Sequence, residues 1–252
     1  MHPHLFGIVK TFGLLLALSF VIGFWLSVRR GRRRGFDPNL VLDFCLTVMI
    51  SSLIGVRLFY VATHAGEFEP WYEVFFIWKG GLTLYGGIIL AILAVWFFCR
   101  RRRIAFLPLA DVLAPQVALG IGITRLGCFL NGCCYGRPTD GPLGISFPET
   151  CAAGWETGCA ALHPTQLYSS AAGFAVFALL ILWERRSSFP GATFARFLSL
   201  YGLTRFLVDL FRHYDPGDMG PLGITTSQWI SVVLFGAGCW LMLTRRSADE
   251  SE

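Results

Sequence analysis

About seven long apolar stretches dominate the chain, at residues 5–28, 38–63, 81–99, 106–130, 164–184, 190–212 and 226–244. Roughly 20 mostly apolar residues let an α-helix cross the hydrocarbon core of a bilayer. No water is available there to satisfy exposed peptide groups, so such stretches have to be helical. Composition closes off the alternatives. Apolar residues make up 54% of the chain without counting its 28 glycines, and only 15% of residues are charged, against about 25% in a soluble domain. That is too little polar surface for a soluble fold of 252 residues, and the wealth of Phe, Leu and Trp excludes disorder. The sequence predicts an all-α polytopic membrane protein with about seven transmembrane helices, residues 1–252 forming a single transmembrane domain.

The charges set a topology. Of 21 basic residues, 13 fall in four clusters, at residues 29–34, 100–103, 185–186 and 245–246. Each cluster directly follows an apolar stretch, which marks membrane topology rather than nucleic-acid binding. Positive loops face the cytoplasm. Threading seven spans from an outer N-terminus puts all four clusters inside, and the C-terminus with them. The outer loops then carry only Lys79, Arg137 and Arg212 as cations, together with eight of the 16 acidic residues. In span 1 the basic residues follow the apolar run, and no small-residue cleavage site comes after it, so a retained helix is expected rather than a signal peptide. Two outer segments, 64–80 and 131–163, are long; long loops in compact proteins are usually functional.

Ionisable residues at membrane depth are costly and usually mark function. At 1.5 Å per residue, Lys10, Arg57, Arg125 and Arg205 lie roughly 8–10 Å in from the outer ends of four predicted spans. A lone arginine can snorkel to the interface; four cations at one depth point instead to a pocket for an anion, with arginines as phosphate forks. Span 6 adds Arg205, Asp209 and Arg212 at i, i+4 and i+7, on one helix face. Asp209 is expected to orient the arginines, although an ion pair that merely docks helices has the same pattern. The stretch Gly80-Gly81-Leu82-Thr83-Leu84-Tyr85-Gly86-Gly87 and the pair Gly120 and Gly122 have the composition of close helix packing. Tyr85 is an interfacial belt residue or a hydrogen-bond donor in the site.

Five of the eight cysteines, Cys128, Cys133, Cys134, Cys151 and Cys159, cluster at or beyond the outer end of span 4. An oxidising exterior favours disulfides, and one or two bridges tying down the 131–163 loop are expected. A thiol oxidoreductase is the second reading from chemistry alone, weakened by the lack of Cys-x-x-Cys. Zinc is weaker still, since His163 is the only histidine of that loop and the spacings match no known site. No metal and no cofactor are expected.

Gly127-Cys128-Phe129-Leu130-Asn131-Gly132, with Arg125 before it and Gly136 after it, resembles the signature of the prolipoprotein diacylglyceryl transferase family. Further pieces follow the family's order: Gly55-Val56-Arg57-Leu58-Phe59-Tyr60, Gly80-Gly81-Leu82 with Tyr85-Gly86-Gly87, His163-Pro164-Thr165-Gln166-Leu167-Tyr168, Tyr201-Gly202 with Arg205-Phe206 and Asp209, and Ser227-Gln228-Trp229. The resemblance implies a bacterial inner-membrane enzyme with its N-terminus, both long loops and its active site on the periplasmic side, and its C-terminus in the cytoplasm. It implies transfer of the diacylglyceryl group of phosphatidylglycerol to the lipobox cysteine of a prolipoprotein, as a thioether, with no nucleic-acid partner. On this reading Arg125, Arg205, Tyr85, Asn131 and Asp209 form the catalytic set, and Arg57, Lys10, Gly136, His163, Gln166 and Cys128 bind substrate. The chain departs from the family pattern at Cys128 for a usual Asn, Cys133 for a usual Glu, and Tyr85 for a usual His. In span 1 only Lys10-Thr11-Phe12-Gly13 answers the family's Arg-Trp-Tyr-Gly. Two obvious proton acceptors are therefore missing. A paralogue with a different lipid donor or acceptor, or a lipid-binding relative, is the alternative.

Overall fold

The computed structural model describes residues 4–5, 9–64, 84–184, 189–214, 220 and 223–249. Short strands β1 (His4–Leu5) and β2 (Val9–Lys10) lead into helices α1 (Thr11–Arg33), α2 (Pro38–Thr63), α3 (Leu84–Arg102) and α4 (Phe106–Asn131). Then come β3 (Ile145–Ser146), the short α5 (Ala152–Thr157), β4 (Ala161–Leu162), α6 (Thr165–Leu182), α7 (Ala192–Asp209) and α8 (Thr226–Asp249). Among the described residues, five helices, α1, α2, α4, α6 and α8, are long and apolar enough to cross a membrane. The protein is a multi-pass α-helical membrane protein. The two other long helices carry the charges that dilute their apolar character: Arg100, Arg101 and Arg102 end α3, and Arg196, Arg205 and Asp209 punctuate α7.

The helix boundaries follow from local chemistry. Arg30, Arg32 and Arg33 occupy the last turn of α1, where cations suit the negative end of the helix dipole. Asp37 caps α2 by accepting from the Asn39 amide at 3.2 Å, with Pro38 opening the helix. One expectation fails at the N-terminus: the apolar pattern predicts a span from residue 5, with Lys10 inside it, whereas α1 begins at Thr11. Lys10 instead pairs with His4 in an antiparallel ribbon, which holds it in extended backbone ahead of α1. Its side chain, and that of Tyr85 in the first turn of α3, lie outside the described residues. So does the 64–80 loop beyond His64.

The chain forms two compact units, one of residues 27–109 and one of residues 1–26 with 110–252. In the first, α2 and α3 meet through Gly55 and Gly86. A methyl group on either would strike the other's carbonyl oxygen, so only glycine allows this crossing. Phe44 and Phe98 pack edge to face at 5.6 Å, and Arg102 bridges to Asp43 at 2.9 Å.

In the second unit α4 is the most buried of the five apolar helices, with half of its apolar window inside. Ala114 and Ala118 of α4, Val176 and Leu180 of α6 and Phe197 of α7 form its core. Ser170 donates to the Gly122 carbonyl at 2.8 Å, tying α6 to α4. The Asp111 carboxylate accepts from the Gly191 and Phe194 amides, both at 2.8 Å, and so caps α7 from α4. The 131–163 segment is built around β3 paired with β4 and a small core of Phe147, Cys151, Ala153 and Leu162. All eight cysteines are free thiols. The expected bridges are not formed, and local hydrogen bonds tie the segment instead: Cys151 Sγ donates to Pro148 O at 3.1 Å, and the Ala153 amide donates to Gly132 O at 3.0 Å.

Candidate active site

A narrow cleft of about 20 Å³ opens among α4, α6 and α7. Ala118, Ile121, Val176 and Phe197 make its apolar wall, and Arg125, Arg205, Tyr201, Thr204 and Ser169 its polar part. Arg125 and Arg205, from different helices, thus line one space.

Arg205 is held on two sides. Its Nη2 lies 3.0 Å from Asp209 Oδ1, one helical turn on, with the Asp209 side chain wholly buried. Its Nε and Nη2 donate to Ser227 Oγ at 3.1 and 2.9 Å. Ser227 sits in the first turn of α8, which Thr225 and Gln228 cap reciprocally: the Thr225 amide donates to Gln228 Oε1 at 2.9 Å, and the Gln228 amide to Thr225 Oγ1 at 3.3 Å. The guanidinium is therefore fixed by anchors 4 and 22 residues further along the chain, leaving one edge for the cleft. Beyond α7, burial and the neighbouring Asp209 push the Tyr214 phenol above its ordinary value, so it stays protonated.

Arg125 faces Cys128, Cys134 and Tyr201. Its helix ends at Asn131, whose side chain lies beside Cys133. The chain then turns through Gly132 and Cys134, both with positive φ (68° and 61°). That turn folds Cys133 and Cys134 back onto Cys128, and the three Sγ atoms lie within 4.8 Å of one another. Hydrogen bonds from Cys128 and Cys133 lower the Cys134 thiol below its ordinary value. The Arg212 and Arg125 guanidinium groups reinforce this, while burial opposes it.

The start of α6 clamps the turn. Buried Gln166 donates through Nε2 to Cys133 O at 2.8 Å, and Thr165 through Oγ1 to Cys134 O at 3.0 Å. His163 Nδ1 lies 3.2 Å from Tyr168 Oη, with its ring against Phe211. Gly136 marks the crossing of three segments. Its amide donates to His163 O at 3.0 Å, and a methyl there would come within 2.6 Å of the His163 and Phe211 carbonyl oxygens. Gln166, His163 and Gly136 thus meet the backbone and rings that shape the turn. Arg57 belongs to the other compact unit, where it is buried with its guanidinium 5.7 Å from the Tyr60 ring centroid.

Sequence reasoning brought Arg125, Arg205, Asp209, Asn131 and Cys128 to the outer ends of spans 4 and 6, and the fold gathers them in one unit. It missed Ser227 as the second anchor of Arg205, and Arg212 as a cation acting on Cys134. Ser227 stood in the Ser-Gln-Trp piece, but no periodicity relates it to α7.

Fold and site together define a multi-pass α-helical membrane protein with an arginine-lined apolar cleft among its helices. The chain belongs to the prolipoprotein diacylglyceryl transferase family, whose profile matches residues 4–244. Among its relatives is the phosphatidylglycerol–prolipoprotein diacylglyceryl transferase of Thermosynechococcus vestitus, 35% identical over 92% of this chain and 87% of the relative. Proteins of the same name from Clostridium tetani (31% identical, 90% of each chain) and Gloeobacter violaceus (34% identical, 96% of this chain and 91% of the relative) are similar along comparable lengths.

Proposed function

We propose that the chain is a transferase of the bacterial inner membrane that moves the diacylglyceryl group of phosphatidylglycerol to the lipobox cysteine of prolipoproteins. In this reading the whole chain is one transmembrane domain with seven crossings. The N-terminus, segments 64–80 and 131–163 and the active site face the periplasm, and the C-terminus faces the cytoplasm. The observation that carries it is the pairing of Arg125 and Arg205 in one apolar cleft. A phospholipid offers the matching halves, an anionic phosphate and apolar chains. Family membership favours neither the thiol oxidoreductase nor the lipid-binding paralogue.

The reaction is displacement at carbon. The acceptor sulfur attacks the glycerol carbon, the carbon–oxygen bond to phosphate breaks, and glycerol phosphate leaves with the electron pair. Two needs follow: a thiolate, since the thiol itself is a weak nucleophile, and charge stabilisation on the departing phosphate. Arg125 and Arg205 meet the second need as bidentate donors. Asp209 and Ser227 hold the Arg205 fork in place, and Asn131 adds a neutral hydrogen bond. The resemblance to the family adds Tyr85 to this proposal as a hydrogen-bond donor, and Lys10 and Arg57 as further cations for the anionic headgroup. Gly136, His163, Gln166 and Cys128 shape the turn against which the peptide lies.

The test is direct. Membranes containing the chain, given phosphatidylglycerol and a lipobox peptide, are expected to yield a peptide heavier by one diacylglyceryl group. Removing one preorganised donor to a developing anion typically costs about 100- to 1,000-fold in rate. Arg125→Ala is accordingly expected to lose at least about 100-fold with normal membrane accumulation. No mass shift where a working family member gives one overturns the reading; full activity of Arg125→Ala overturns the phosphate assignment.

A further inference from the structure

The turn after α4 holds a set of side chains that phosphate binding does not use. We propose that Cys128, Cys133 and Cys134 form a three-thiolate zinc site whose open fourth position takes the acceptor cysteine of the lipobox peptide. The proposal rests on the transferase reading above and deepens it, by naming what turns the acceptor thiol into a nucleophile.

The geometry comes first. The three sulfurs lie within 4.8 Å of one another, close enough to share one ion. Zinc–sulfur bonds of about 2.3 Å place tetrahedral sulfurs about 3.8 Å apart, so each pair needs to close by at most about 1 Å. The scaffold is firm: Cys128 is buried in the last turn of α4, and Gln166 and Thr165 pin the carbonyls of Cys133 and Cys134. A set including His163 fails on spacing, and the set the fold assembles leaves His163 out. Its sequence spacing, i, i+5 and i+6, fits no helix face; the positive-φ turn at Gly132 and Cys134 creates it.

The chemistry selects the metal. Catalytic zinc keeps three protein ligands and one open position, and a thiol that coordinates zinc is deprotonated outright. Three thiolates around Zn²⁺ carry a net charge of −1, and the fourth makes it −2. Arg125, facing Cys128 and Cys134, and Arg212, acting on Cys134, temper that charge. Arg125 also lines the cleft assigned to the lipid phosphate, so the bound thiolate and the leaving group share a neighbour.

The step balances without redox change. The peptide thiol binds zinc as thiolate and releases its proton to water. A sulfur lone pair forms the new carbon–sulfur bond, and the carbon–oxygen pair departs with glycerol phosphate. The product thioether is a neutral, weak ligand and leaves zinc for the next thiol. Zinc thereby performs the task for which a base is missing at Tyr85 and Cys133.

The experiment uses the full chain in lipid nanodiscs, stripped with chelator and titrated with Zn²⁺ against a chromophoric competitor, then with Co²⁺ as a spectroscopic probe. One ion per chain is expected, with strong sulfur-to-cobalt charge-transfer absorption. Cys128→Ser and Cys133→Ser are expected to weaken binding beyond the about 10- to 100-fold that loss of an outer partner brings. Cys159→Ser, a thiol of the same segment outside the triplet, tests for unspecific effects and leaves affinity unchanged. Adding a lipobox peptide is expected to change the cobalt spectrum, and the same peptide with serine for cysteine is not.

Absence of stoichiometric binding overturns the proposal, as does binding that survives Cys128→Ser. A disulfide among the three thiols in freshly isolated protein, or identical spectra with both peptides, overturns it too. Failure of the transferase reading looks different: zinc binds, the peptide thiol coordinates, and no lipidated product forms. Failure of the zinc site alone shows as transfer that persists after chelation and in Cys128→Ser.

Discussion

Asp209 is a buried carboxylate with one short ion pair, and its contribution depends on its partner. Breaking a buried pair from one side costs about 3–5 kcal/mol, because a charge is left without compensation, whereas removing both partners is often close to neutral. Arg205→Ala is therefore expected to lower the unfolding temperature in detergent, and Arg205→Ala with Asp209→Ala to recover most of the loss. Transfer activity is expected to stay absent in both, since the fork that meets phosphate is gone in both. Asp209→Asn separates positioning from charge: the shape remains, but Arg205 is held by Ser227 alone. A misplacement of about 1 Å can cost about 100-fold in rate, so a fall in kcat with little change in membrane accumulation is expected. A double variant no more stable than Arg205→Ala refutes the idea that Asp209 is left stranded.

At the scale of elements, α7 depends on a cap from another helix. Asp111 takes two of the four amides that a helix N-terminus leaves free. Loss of such a cap costs about 1–2 kcal/mol, and the Asp111 carboxylate also favours the positive end of the α7 dipole. Asp111 lies fourteen residues before Arg125, or about 21 Å along α4. Asp111→Ala is thus expected to lower thermal stability while leaving the KM for phosphatidylglycerol unchanged, and Asp111→Asn to restore part of the loss. A changed KM with unchanged stability contradicts the capping role. The sequence made the helices themselves legible, because apolar length and terminal arginines are read without knowing the fold. It also exposed Arg125, Arg205 and Asp209, because charge in an apolar run stands out on its own. What it hid depends on tertiary neighbours. Asp111 looks like any charge near a helix start, Ser227 reaches Arg205 only through the packing of α8 on α7, and the cysteine triplet exists only because the backbone reverses after Asn131. Lys10 misled for the opposite reason: apolar residues around it read as helix, and a local ribbon pairing with His4 prevails.

At the scale of the whole molecule, the apolar surface and the charge pattern specify different things. Large side chains such as Val21, Trp25, Ile92, Trp240 and Leu243 are more than half exposed, and only 11–17% of the apolar windows of α1, α2 and α8 are buried. Such surfaces belong in lipid, but they are indifferent to which way the chain is inserted. Direction comes from the arginines. Each cluster near a membrane surface adds to the same bias, and the four clusters agree only for an odd number of crossings from an outer N-terminus. If the two helices diluted by charge, α3 and α7, did not cross, the clusters at residues 100–103 and 185–186 would both fall outside, opposite those at residues 29–34 and 245–246. Reporter fusions therefore test crossing number and direction together. A fluorescent protein that matures only in the cytoplasm is expected to shine when fused after residue 246 or inserted at residue 103. Alkaline phosphatase, active only in the periplasm, is expected to work when inserted at Asp140. Phosphatase activity at residue 103 would remove α3 from the membrane count, and with it the placement of the Arg125–Arg205 cleft toward the periplasm.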